Sequence, residues 1–101
     1  MTITLYHGTK KENLPSILKR GLLPSNKTKV ITGYPTNKDR VFLTTDIEEA
    51  KFYTKLHKDW AIIKATLTQK DYKKFAGKLV GGQQHSLNKV LKSKIKLYLS
   101  N

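Results

Sequence analysis

The stretch from Trp60 to Thr68 constrains the fold most. Ala61, Ile63, Ala65 and Leu67 fall on one side of an alternating pattern, and Trp60, Ile62, Lys64 and Thr66 on the other. That is the period of a β-strand. A strand leaves hydrogen-bonding groups open along both edges, so the rest of the chain has to supply partners and a cover for the apolar face.

Candidates for both are present. Thr2 to Tyr6 alternates Ile3 and Leu5 with Thr2, Thr4 and Tyr6, and Arg40 to Thr44 reads as a second strand. Ile95, Leu97 and Leu99 alternate in a last strand. Gln83 to Leu87 is a weaker one, Leu79-Val80 a brief extended piece, and Val90-Leu91 an inward-packing pair. Pro15 opens a helix that Gly21 stops, with Leu14, Ile17 and Leu18 as its buried face. Asp46 with Glu49 three residues on has the form of a capping box, beginning a helix to about Lys58 that buries Ile47, Ala50, Tyr53 and Leu56. Gln69 to Phe75 is a short helix closed by Gly77. Leu22 to Asp39, with two prolines and Gly33, is a long exposed loop. The order β-α-β-α-β-α-β-β predicts an α+β domain, and 101 residues make it a single one, spanning 1–101.

Charge is the next constraint. Twenty Lys and Arg against seven Asp and Glu give +13, a surface that attracts nucleic acid or an acidic protein. No run approaches the roughly 18 apolar residues of a membrane-spanning helix, and no signal-peptide pattern opens the chain, so a cytoplasmic protein away from membranes is expected. Cysteine is absent, which excludes disulfides and thiolate ligands. His7, His57 and His85 have no closely spaced ligand pair among them, so no metal is expected. His57 reads as helix surface.

His7-Gly8 and two aromatics have the makings of a nucleotide site. A glycine lets backbone come close to a ligand, an imidazole offers a ring donor to a ribose hydroxyl, and Phe42 with Tyr53 would stack on either side of a flat base.

Leu5-Tyr6-His7-Gly8-Thr9, the helix ending at Gly21-Leu22, Val41-Phe42-Leu43-Thr44 and the helix with Ala50 and Tyr53 together resemble the ADP-ribosyltransferase superfamily. The likeness is to its histidine-tyrosine-glutamate branch, which includes the poly-ADP-ribose polymerases and, more distantly, the RNA 2′-phosphotransferases. The resemblance implies two small, mostly antiparallel sheets split around a cleft for NAD, which serves as co-substrate. It places His7 on a ribose hydroxyl, the Gly8 backbone on the nicotinamide amide, and Phe42 and Tyr53 around the nicotinamide ring. Thr9 and Thr44 flank those motifs as further NAD-binding positions. Counting back from Ile95-Lys96-Leu97, the family's late glutamate falls on Gln83, with Gln84 beside it, so that the catalytic set implied is His7, Tyr53 and Gln83. His85 would lie near the site with Gln83. Lys10, Lys11, Lys19 and Arg20 are candidates for a pyrophosphate or RNA backbone, and Lys27, Lys29, Lys38 and Arg40 for an acceptor.

The expected activity is mono-ADP-ribosyl transfer to a macromolecule, protein or nucleic acid, as would suit a toxin or a phage-encoded modifier of host components. Glutamine in place of glutamate cannot act as a general base, which sets a binding module of the same fold beside the enzyme as an alternative. An RNA 2′-phosphotransferase is a further alternative, against which stands the lack of a histidine in Val41-Phe42-Leu43-Thr44. A basic nucleic-acid-binding domain with an accidental motif is the last.

Overall fold

Two nine-residue strands, β1 (Thr2–Lys10) and β3 (Trp60–Thr68), pair antiparallel along their whole length, from Thr2 opposite Thr68 to Lys10 opposite Trp60. In this computed structural model the described residues are 2–23, 41–54 and 58–101, Tyr53 by its backbone only. Four shorter strands complete one six-stranded sheet: β2 (Val41–Thr44), β4 (Lys78–Gly81), β5 (Gln84–Leu87) and β6 (Ile95–Ser100). The spatial order is β4-β5-β2-β1-β3-β6 and every pairing is antiparallel. With helices α1 (Leu14–Arg20), α2 (Ile47–Thr54) and α3 (Gln69–Lys74), the domain is α+β, as the order of sequence patterns predicts. The expectation of two sheets is corrected: the strands form one. Its weakest seam is between β1 and β2, whose pairing registers at Tyr6–Thr44 alone.

Antiparallel pairing sets the layers. β2 and β3 both run opposite to β1, so they run parallel to each other, and their connection has to cross a face of the sheet. α2 makes that crossing over β1. β3 and β4 are parallel by the same count, and α3 crosses the opposite face. Ile3, Leu5, Val41, Leu43, Ile63, Ala65, Leu67 and Leu87 point to the α1 and α3 side, packing with Leu14, Ile17, Tyr72 and Phe75. Ile62, on the α2 side, is also fully buried, so β3 is covered on both faces near its start. Leu18 and Leu91, expected inside, are exposed.

Helix ends show which sequence signals hold. Pro15 stands in the first turn of α1. Gly21 ends it at φ 86°, where an added Cβ would meet the Val90 carbonyl oxygen at 2.4 Å. Leu22, expected in an exposed loop, is buried and exchanges two 2.9 Å backbone hydrogen bonds with Val90. Residues 24–39 of that loop, Arg40 at the expected start of the second strand, Leu56 and His57 lie outside the described residues.

The capping box forms at α3. The Thr68 hydroxyl accepts from the Asp71 amide at 3.0 Å, and the Asp71 carboxylate accepts from the Thr68 amide at 3.2 Å. The Thr68 amide and hydroxyl, with Lys94 at 3.3 Å, hold the Asp71 carboxyl below the usual carboxylate range. At α2 only half a box forms. Asp46 accepts from the Glu48 amide at 2.9 Å, but its own amide donates to the Thr44 hydroxyl at 3.1 Å, not to Glu49. Replacing Thr68 with Ala is expected to cost about 1 kcal/mol. In a thermal melt that is a fall in midpoint of roughly 4–8 °C, and an unchanged midpoint would mean the cap carries no weight.

Candidate functional site

Two clefts meet where β1 and β2 separate. One, of about 300 Å³, lies on the α2 side and is lined by Tyr6, His7, Gly8, Phe42, Leu43, Thr44, Ala50 and Gln84. The other, of about 520 Å³, lies toward α1; its walls include His7, Thr9, Asn13, Ser16, Arg20 and Phe42. His7 and Phe42 border both. Past the single Tyr6–Thr44 pair, the next link across the gap is a side chain: His7 Nδ1–H donates to the Phe42 carbonyl oxygen at 2.9 Å.

That bond fixes the tautomer of His7. A carbonyl oxygen only accepts, so Nδ1 carries the proton and Nε2 presents a lone pair. The half-buried ring is desolvated, which pushes its protonation below the ordinary imidazole range despite the opposing pull of the carbonyl. The expectation of a ring donor is thereby corrected. At neutral pH the free nitrogen of His7 accepts a hydrogen bond, as from a hydroxyl.

Gly8 is required for a reason other than ligand approach. Its missing Cβ is the space taken by α2, because a methyl there would collide with the Thr54 hydroxyl and stand 3.1 Å from the Ala50 carbonyl oxygen. Thr54 in turn donates to that same carbonyl. The crossing helix can therefore lie directly on β1 and wall the smaller cleft with Ala50.

The sequence-predicted set is brought together in part. His7, Gly8, Phe42 and Thr44 share the smaller cleft, and Thr9 and Arg20 border the larger. Thr44 is buried, its hydroxyl engaged by the Asp46 amide. Tyr53 lies on α2, its side chain outside the described residues, as is the whole of Arg40. Lys19 is exposed on α1. Lys10 and Lys11 border a separate hollow with Glu12, Lys58 and Asp59. Gln83 is displaced from the expected position: it is exposed in the turn before β5, and its side-chain carbonyl accepts from the Thr45 hydroxyl at 2.6 Å. His85 faces the other side of the sheet, sharing a 2.7 Å hydrogen bond with the Tyr72 hydroxyl.

Gln84 stands in the cleft in place of Gln83, because alternation along β5 turns Gln84 to the face of Phe42 and Thr44. Its Nε2 donates to Glu49 Oε1 at 2.8 Å. Glu49, next to Ala50 on α2, is thus held against a cleft-lining residue without lining the cleft itself, and it reads in the sequence as a helix cap. Thr44 two positions before Asp46 is the overlooked signal: a hydroxyl there can take the cap amide and free Glu49 for other use.

No protein-family model matches the chain, and no curated protein matches it in sequence. Among the described residues no group of three or more His, Asp or Glu could hold a metal ion, and no helix is long and apolar enough to cross a membrane.

Two outcomes test this geometry. Gly8→Ala is expected to lose about 1–3 kcal/mol of stability, the cost of overpacking. Adding Thr54→Ala should restore part of it, and independent, additive losses in chemical denaturation would count against the contact. The second concerns pH. The depressed protonation of His7, and of His85 by burial, means the unfolded chain binds more protons in the window below the ordinary imidazole value. Stability should be complete above about pH 6.5 and fall as the pH drops through the depressed values. Melts of His7→Asn should show a shallower fall than the unsubstituted protein.

Proposed function

We propose that the paired clefts bind NAD and that the protein transfers ADP-ribose from it to a macromolecule. The observation that carries this reading is the sharing of His7 and Phe42 by two adjoining clefts of about 300 and 520 Å³. A dinucleotide has two ring-bearing halves joined by a flexible bridge, and a split site with a common wall accommodates such a shape. The residues fit it. Nε2 of His7 would accept from a ribose hydroxyl, Phe42 offers an exposed ring for a flat heterocycle, and Arg20 supplies a cation for the pyrophosphate.

Bound NAD would supply an ADP-ribosyl group on a good leaving group, nicotinamide. The chain's own part is to position and to stabilise charge. Glu49, held by the cleft-lining Gln84, would bring negative charge close to the smaller cleft and would take a proton from an acceptor hydroxyl that reaches it. The carboxylate that the family pattern has on a late strand would here come from α2. Without such a group a binding module with the same pocket would be the better reading; the Gln84–Glu49 contact favours the enzyme.

The test is incubation with NAD labelled on its adenylate phosphate and a cell lysate, with and without ribonuclease. Label is expected on a macromolecule, reduced about 100-fold or more in His7→Ala and about 100-fold in Glu49→Gln. Calorimetric NAD binding with no transfer to protein, RNA or DNA acceptors would make the chain a binding module, and absence of both would end the NAD reading.

A further inference from the structure

Among the described residues, α2 covers its side of the sheet over β2, β1 and the start of β3, where Ile62 is buried. Away from Ile62, this side of β1, β3 and β6 is more open: Thr66, Lys96 and Tyr98 are exposed, and Tyr6 and Lys64 half-buried. These three strands contain no Asp or Glu. Lys64 and Lys96 stand directly opposite each other in the β3–β6 pair, an arrangement that like charges disfavour. Two ion pairs occur among the described residues, Lys51–Glu48 and Lys94–Asp71, and neither involves this pair.

The two rings on this face belong to Tyr6 of β1 and Tyr98 of β6. The β3–β6 register shifts between Ile62 and Ile63, so Leu99 faces Ile62, Leu97 faces Ile63, and Tyr98 is the extra residue of a bulge. Alternation from Lys96 puts Tyr98 on the Tyr6 side, and the bulge brings Leu99 to that side as well; the Tyr6 and Tyr98 ring centroids are 5.3 Å apart, and Tyr98 is 47% exposed on the edge strand. Lys64 Nζ lies 5.7 Å from the Tyr98 centroid, and Thr66 adds an exposed hydroxyl. Tyr6 also lines the smaller cleft, so the open face leads into it.

We infer that this face is a binding platform for single-stranded nucleic acid, with bases stacked on Tyr98 and Tyr6 and phosphates held by Lys64 and Lys96. The exposed Tyr98 ring, with the half-buried Tyr6 ring beside it, offers a π-face to an unpaired base, and the neighbouring lysines follow a backbone. An acidic protein would use the lysines but leave the rings without flat partners, and a duplex keeps its base faces stacked within itself. The two opposed lysines, with no acid near them on these strands, are relieved by a polyanion. The inference stands on the surface alone. Only its extension, that the strand is the acceptor delivered past Tyr6 to the cleft, rests on the NAD reading above.

Fluorescence anisotropy with labelled 12-mers of U, of dT and of a duplex tests it, with no NAD present. Tighter binding of either single strand than of the duplex is expected, the tighter one naming the polymer. Tyr98→Ala should weaken it about tenfold, while Tyr98→Phe should bind as the unsubstituted protein does. Lys64→Gln with Lys96→Gln should flatten the salt dependence by about 1.4 in log–log slope, two phosphates at roughly 0.7 each. Circular dichroism confirms folding, and the lysine pair decides if Tyr98→Ala does not fold. Equal affinity for the duplex, or unchanged binding in both Tyr98→Ala and the lysine variant, overturns the inference. Calorimetric NAD titration of the same variants reports on the cleft separately, so a failed platform and a failed NAD site give different results.

Discussion

The continuous ladder between β1 and β3 is the interaction on which the rest depends. Nine registered pairs fix which face each residue of β1 meets, since neighbouring side chains on a strand point to opposite sides. His7 is thereby turned toward α1, and Gly8, one position on, toward α2. A slip by one residue would put an imidazole beneath the crossing helix where only a hydrogen fits, and would withdraw the ring from the Phe42 carbonyl. The helix–strand contact at Gly8 and the tautomer of His7 are two consequences of one register.

The same ladder accounts for the opening beside it. β1 is committed along its full length to β3, while β2 is four residues long and is held on its other side by all four residues of β5. Between these two well-paired units only Tyr6 and Thr44 are in register. Backbone groups beyond that pair lack a strand partner across the seam, and the His7 ring supplies one of the missing donors. The sheet joined so narrowly by its backbone is tied across the seam by packing, since Leu5, Ile63 and Ala65 share one core with Val41, Leu43 and Leu87.

What was legible in the sequence follows from how local the signal is. Strand alternation in Trp60–Thr68, the Pro15 and Gly21 punctuation of α1 and the extended character of Ile95–Ser100 are short-range patterns, and all three appear. The clustering of His7, Gly8, Phe42 and Thr44 was legible through motif spacing. Side-chain partnership was not. Counting along the chain selects Gln83 over Gln84, whereas the choice is made by which of the two faces α2, a matter of strand phase. Asp46 and Glu49 satisfy a capping pattern, but Thr44 competes for the same amide, and a competition between three side chains cannot be read from spacing. Gly8 was legible as necessary and not as to why, because the Thr54 hydroxyl that fills its place lies 46 positions on.

The setting of Glu49 is unusual for so basic a chain. With twenty Lys and Arg and seven acids, a carboxylate would be expected to find a cation, as Glu48 does in Lys51 and Asp71 in Lys94. Glu49 is instead oriented by the amide of Gln84. A neutral donor fixes the direction of a carboxylate without cancelling its charge, and that distinction bears on chemistry. An ion pair would hold Glu49 as firmly while cancelling most of the negative potential it brings to the side of Gln84. Gln84, the neighbour of the Gln83 on which the family count falls, thus holds from β5 a carboxylate that belongs to α2, while Gln83 itself accepts from the Thr45 hydroxyl.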